Sequence, residues 1–187
     1  SITEKYGADS LETAQKKYQN RKSDAVQQKA MRKVIGKDVP GSLADFQNMK
    51  YNEPEKFRFV RLDHQRQMRL VQDPKLKLPN AEKVTAADAK FEKYLFGGTH
   101  PAGLAKGAAF TSRLGYDINN WQDLRDEILN RASHYPAVLR SSGKFGDNYE
   151  QKIIIYGSKG TPANVIVGWN VVDDATKLAT AYIKEVK

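Results

Sequence analysis

Three histidines occur in this chain of 187 residues, and one of them stands where an imidazole could do chemistry. His100 lies in Thr99-His100-Pro101-Ala102-Gly103-Leu104-Ala105-Lys106, a Gly/Pro loop that opens a helix. Catalytic imidazoles are often carried on a loop held against a rigid element, and imidazole titrates near neutrality, so it can take or give a proton. Lys106 falls on the first turns of the helix, and Gly97, Gly98 and Gly103 would let backbone approach a phosphate closely. The plainer reading makes His100 a turn or capping residue and Lys106 a solvated helix lysine. A second group lies near the end of the chain. In Leu178-Ala179-Thr180-Ala181-Tyr182 a period of two puts Thr180 and Tyr182 on one strand face with Leu178 beside them, and Ala179, Ala181 and Ile183 opposite. That face offers two hydroxyls for phosphate oxygens, or reflects β-propensity alone. Trp169, on the neighbouring strand, is either core or a platform for a nucleobase.

Other constellations are weaker. His64, in a basic stretch with Arg61, Arg66 and Arg69, and His134, at a helix end, lack metal-ligand spacing to another His, Asp or Glu. Asp173-Asp174 reads as a turn, because adjacent carboxylates on a strand point to opposite faces. No phosphate-binding P-loop, nucleophile elbow or dinucleotide fingerprint occurs.

The elements that must position these groups read as helices first and strands after. Helices are expected over 8–35, with a thin apolar stripe that nearly vanishes from Asn20 to Asp24, and over 42–50 behind an N-cap at Ser42. Another runs from Pro54 to just before Asp73-Pro74. Thr85 is the expected cap of a helix over 86–96, closed by Gly97-Gly98. Further helices are expected over 104–114, ended by Gly115, and over 121–132 behind Asn119 or Asn120. From Ala137 the period changes to that of strands, expected over 137–140, 149–156, 164–172 and 177–186, with turns at 141–143, 157–162 and 173–174. The fold class is therefore α+β, helices packed on a C-terminal antiparallel sheet. The Pro/Lys-rich stretch 75–83 reads as the connector, dividing a basic helical segment, 1–84, from an α+β module, 85–187.

Composition narrows the function classes. The chain has no Cys, which excludes disulfides, thiolate zinc sites and cysteine nucleophiles. No apolar run approaches the roughly 18–20 residues of a membrane span, and Ser1 to Lys5 do not resemble a signal peptide. The chain begins with Ser1 rather than Met, so it is expected to be a piece of a longer polypeptide. A net charge of +9 points to a polyanionic partner. The excess is uneven: residues 1–90 hold 19 Lys/Arg against 12 Asp/Glu, and residues 91–187 hold 12 against 10. A solvated basic helical face and a phosphate-tracking surface both fit that distribution.

Two resemblances sharpen the expectation. Residues 94–187 resemble toxin C-terminal modules of bacterial polymorphic and contact-dependent toxin systems. The shared pattern is Tyr-Leu at 94–95, His-Pro-x-Gly-x-x-Lys from His100 to Lys106, and Phe110 with Leu114-Gly115-Tyr116. Asn120-Trp121-x-x-Leu124 follows, and Leu-x-Thr-Ala-Tyr from Leu178 to Tyr182 closes it. Helices ahead of such a sheet look like the barnase/EndoU/colicin/RelE group of metal-independent ribonucleases. The resemblance implies cleavage by the substrate's own 2′-hydroxyl, leaving a 2′,3′-cyclic phosphate, with no cofactor and no metal. His100 would be the base or acid, Lys106 would neutralise the phosphate, and Thr180 would bind a non-bridging oxygen. Tyr182 or Trp169 would stack on a base, with Lys152 and Arg113 as further RNA contacts. The implied partners are RNA, tRNA included, a cognate immunity protein and a host activator; the implied setting is a delivered effector acting in the target-cell cytoplasm. The second resemblance, over about 38–60 and carried by residues 41–52, is to phage minor head proteins. It supports an alternative, a head-associated structural or interaction protein without catalysis. A metal-dependent DNase is the third expectation.

Overall fold

Asn20 interrupts the helix expected over 8–35. The computed structural model describes residues 9–187, so residue 8 and the N-terminal stretch read against a signal peptide lie outside the described residues. Helix α1 (Leu11–Gln19) is capped by the Ser10 hydroxyl, which accepts from the Thr13 amide at 3.2 Å, and α2 (Arg21–Ile35) restarts one residue later. The nearly apolar-free stretch explains the break. Asp24 is fully buried there and accepts from Lys50 at 2.7 Å, Gln47 at 3.0 Å and Tyr51 at 2.8 Å. Lys50, Gln47 and Tyr51 all belong to α3 (Leu43–Asn52), whose expected cap, Ser42, accepts from the Asp45 amide. A hydrogen-bonded carboxylate thus takes the place of an apolar stripe between α2 and α3. Helix α4 (Pro54–Gln72) follows, and the chain divides into two compact units between His64 and Gln65, within that helix. The division expected at 84/85 therefore falls inside the second unit. The connector is not loose either: Leu78 and Ala81 are buried in the second unit's core.

The second unit is α+β. Strands β1 (Ala137–Gly143), β2 (Gly146–Ile155), β3 (Ala163–Val172) and β4 (Ala175–Ile183) form an antiparallel meander in sequence order. Helices α5 (Pro101–Leu114) and α6 (Trp121–Arg131) supply Phe110, Leu114, Trp121, Leu124 and Ile128 to one core with Ile153, Ile155, Val165, Val167 and Trp169 of the sheet. The turn expected at Ser141-Ser142-Gly143 is strand instead. A register shift between Leu139 and Ser141 lets all three pair with β2, and the reversal moves to Lys144-Phe145.

Two local departures bear on function. The helix expected over 86–96 is reduced to a single π-helical stretch, Lys90–Leu95, in which the Phe96 amide donates to the Phe91 carbonyl at 2.9 Å. Its expected cap, Thr85, instead extends along β4, accepting from the Leu178 amide and donating to the Thr176 carbonyl. The second departure is a bulge in β4. Gly168 pairs with Thr180 but Trp169 pairs with Leu178, leaving Ala179 as the extra residue. Leu178 therefore turns into the core with Ala181, and does not share the face of Thr180 and Tyr182 as strict alternation had placed it.

Candidate functional site

The N-terminus of α5, the π-helical stretch and the bulged edge of β4 converge on Lys106. Pro101 opens α5, its fixed φ suiting the first helical turn, and the His100 carbonyl accepts from the Leu104 amide at 3.0 Å. His100 is exposed at this helix start, and its ring lies 5.4 Å from that of Tyr94. Two turns along, the Lys106 ammonium sits over the opposite claims of two phenols, 5.5 Å from the Tyr94 ring centre and 5.7 Å from that of Tyr182. Its Nζ is 3.5 Å from both the Tyr94 and the Thr180 hydroxyl oxygens, the outer limit of hydrogen bonding. Three residues singled out from sequence, Lys106, Thr180 and Tyr182, are thus brought together, and a fourth, His100, is linked to Lys106 through Tyr94. An open cleft of about 480 Å³, lined by Lys90, Tyr94, Lys106, Ala179 and Thr180 among others, adjoins them.

The bulge is what brings Thr180 here. With Ala179 extruded at the cleft wall, Thr180 and Tyr182 keep to the face opposite Leu178, Ala181 and Trp169. Bulges commonly re-aim side chains in this way beside active sites.

The glycines do different work from that expected. A Cβ on Gly103 would stand 2.3 Å from the Tyr94 carbonyl oxygen, and one on Gly107 would stand 1.8 Å from that of Leu95. One face of α5 therefore lies directly on the backbone of the π-helical stretch, which fixes Tyr94 between His100 and Lys106. Gly97 and Gly98 likewise approach the carbonyls of Glu92 and Lys93. These glycines admit protein backbone and not a phosphate. Tyr94 itself received no role from sequence, although it opens the pattern that carries the toxin-module resemblance. The spacing Gly103-x-x-x-Gly107 is the sequence signal for such a closely packed helix face.

Three expected RNA contacts lie elsewhere. Trp169 is 1% exposed, and its indole N–H donates to Gln151 at 3.1 Å, whose amide in turn donates to the carbonyls of Ala132 and Tyr135. A ring enclosed and hydrogen-bonded in this way is core, so the stacking role falls away. Arg113 is at the far end of α5, about 20 Å from His100 at 1.5 Å per residue. It donates to the Pro162 carbonyl at 2.9 Å and pairs with Glu185 at 2.9 Å, anchoring the β2–β3 turn and the C-terminal residues. Lys152 is exposed on β2, away from the cleft, in a separate basic groove.

Asp173 adopts a left-handed φ of 52° in the turn between β3 and β4, as the turn reading requires. Among the described residues no group of three or more His, Asp or Glu side chains is placed to hold a metal ion, and no helix is long and apolar enough to cross a membrane. No curated protein and no solved structure matches the chain. Residues 77–185, more than half of the chain, match the model of the domain of unknown function DUF6883, and the protein belongs to that family.

Proposed function

We propose that the second unit is a metal-independent endoribonuclease, with tRNA among its substrates, and that the convergence of His100, Tyr94, Lys106, Thr180 and Tyr182 is its active site. The observation that carries the reading is the Lys106 ammonium set between two phenols and a threonine hydroxyl beside an exposed imidazole. Such a set matches the needs of RNA transphosphorylation, in which the nucleophile belongs to the substrate. His100 takes the proton from the 2′-hydroxyl. The 2′-oxygen attacks phosphorus as the bond to the 5′-oxygen breaks, giving a 2′,3′-cyclic phosphate and a 5′-hydroxyl. In-line displacement puts the attacking and leaving oxygens on opposite sides of phosphorus, so His100 serves one end only. The phenols of Tyr94 and Tyr182 flank the ammonium, and that of Tyr182 is the proton donor for the leaving oxygen. Lys106 and the Thr180 hydroxyl take the charge that grows on the non-bridging oxygens.

The biological setting belongs to the same proposal. A toxin module delivered into a target cell, covered by an immunity protein until delivery and aided by a host activator, rests on the resemblance of residues 94–187 alone. The test is incubation of the purified chain with total cellular RNA in EDTA, beside His100→Ala. The proposal expects discrete fragments with cyclic phosphate ends, and a loss of about 10²–10⁴ in rate for the variant, the range for a general acid or base. Cleavage of DNA that needs added divalent metal would replace the ribonuclease with a DNase. RNA left intact, with cell extract added as well, would leave a structural or interaction protein.

A further inference from the structure

A second basic surface lies within the same unit and away from the cleft. Arg66 and Arg69 of α4, Arg140 of β1 and Lys152 of β2 line a groove of about 150 Å³ with Pro136, Val138 and one carboxylate, Glu150. Four cations against one carboxylate, which is paired with Arg140, leave the lining of this small space net positive and suited to an anion. Pro136 and Val138 make part of the wall apolar, which strengthens the field inside. Two of the guanidinium groups are already oriented: Arg66 donates to Asn164 at 2.7 Å, and Arg140 pairs with Glu150 at 3.0 Å. Arg69 and Lys152 are exposed at the groove.

The register of the sheet connects this groove to the cleft. Glu150 pairs with Gly168 and Gly168 with Thr180, while Lys152 pairs with Ile166 and Ile166 with Tyr182. Residues directly opposite on neighbouring strands share a face. The groove and the Thr180/Tyr182 face are therefore on one side of the sheet, with β2 and β4 two strand spacings apart, roughly 10 Å. Gly168, which has no side chain, stands between Glu150 and Thr180.

We infer that the Arg66/Arg69/Arg140/Lys152 groove is a second phosphate-binding site, which holds the backbone of a single RNA strand running from Lys106 and Thr180 across Gly168. The inference rests on the ribonuclease proposal for its choice of RNA as the polyanion. Glu150 favours that choice over a ligand that only accepts hydrogen bonds, since a carboxylate takes donors such as base amino groups. It also answers a difficulty of charge. Residues 91–187 carry little net charge, and two of the four cations come from α4, which lies before that stretch and before the family match begins.

The test is binding of a labelled single-stranded RNA, made uncleavable by 2′-O-methylation, to the full chain in EDTA over a salt series. The comparison is between wild type, Arg69→Gln/Lys152→Gln and Lys75→Gln/Lys83→Gln, which removes the same charge from exposed positions outside the groove. The inference expects the groove variant to bind at least tenfold more weakly. The slope of log affinity against log salt should fall by about 1.4, two phosphate contacts on a single strand, and the control variant should keep both values. Equal weakening in both variants, or none in either, overturns the groove, as does binding of anionic vesicles in place of RNA. RNA cleavage by the wild type is scored separately. Cleavage without a groove effect removes the groove and leaves the ribonuclease; a groove effect without cleavage does the reverse.

Discussion

Tyr94 is the side chain on which the proposed site depends most, because it touches both His100 and Lys106 while contributing no charge of its own. Its ring and its hydroxyl can be separated by mutation. Tyr94→Phe keeps both ring contacts and removes only the oxygen 3.5 Å from Lys106, so a loss in kcat/KM below about threefold is expected if the phenol of Tyr182 serves the leaving oxygen. Tyr94→Ala removes the surface that the His100 and Lys106 side chains lie against and should cost about tenfold or more, roughly 1.4 kcal/mol of transition-state stabilisation. A Phe variant as poor as the Ala variant would transfer the proton-donor role to Tyr94. Trp169 answers to a different measurement. Trp169→Ala would empty a fully buried site and leave Gln151 without its indole partner, so denaturant unfolding should show a loss of about 3–5 kcal/mol. The same substitution should leave RNA affinity of the folded protein unchanged, which a stacking platform would not allow.

At the scale of elements, the site is built by a helix lying directly on backbone, and that closeness can be tested at Gly107. An alanine there would bring its Cβ within 1.8 Å of the Leu95 carbonyl oxygen, so α5 and the π-helical stretch must move apart. Overpacking of this kind costs about 1–3 kcal/mol. Gly107→Ala should therefore lower the denaturation midpoint and also weaken activity, since separation draws Tyr94 away from Lys106. Ala109→Gly, on the same helix, should lower stability without that second effect, by about 0.5–1 kcal/mol of helix propensity. The same contrast explains how much could be read beforehand. Helix limits set by local chemistry, such as Ser42 as cap and Pro54 as opening, and strands set by alternation in Val165, Val167 and Trp169, were legible because their causes are near in sequence. The bulge at Ala179, the π-helical stretch and the pairing of Thr85 with β4 were not, because each is decided by a distant partner. A period-two reading of β4 has no means of placing Leu178 and Thr180 on opposite faces. The gathering of His100, Lys106, Thr180 and Tyr182 was expected only by analogy with a pattern. Tyr94, which links His100 to Lys106, lies six residues before His100, and its role is not legible in sequence because its contacts are made through the fold.

At the scale of the whole molecule, two compact units divided within one helix raise the question of whether they lose their structure together, and two tyrosines allow it to be asked. Tyr51 in the first unit and Tyr116 in the second are each pushed up to about 12, chiefly by burial, with the nearby Asp24 adding to the effect on Tyr51 and the charges of Glu127 and Asp123 to that on Tyr116. A folded-state value above the unfolded one, 10.0 for both, contributes stability that is complete below pH 10 and is lost as pH rises through about 12. Each phenol should impose a slope of at most about 1.4 kcal/mol per pH unit over that window. Both tryptophans, Trp121 and Trp169, belong to the second unit, so indole fluorescence reports on it alone, whereas far-ultraviolet circular dichroism reports the helices of both. Tyr116→Phe should flatten the alkaline dependence of the denaturation midpoint read by fluorescence. Tyr51→Phe should leave that fluorescence dependence in place and flatten the one read from helical signal in the first unit. The core of the second unit, from Leu78 to Ala181, is continuous without any residue before 65, and that continuity is the reason to expect separate responses. If Tyr51→Phe flattens the fluorescence-read dependence as much as Tyr116→Phe does, the two units unfold as one cooperative body and the proposed nuclease unit cannot be studied apart from the helices before it.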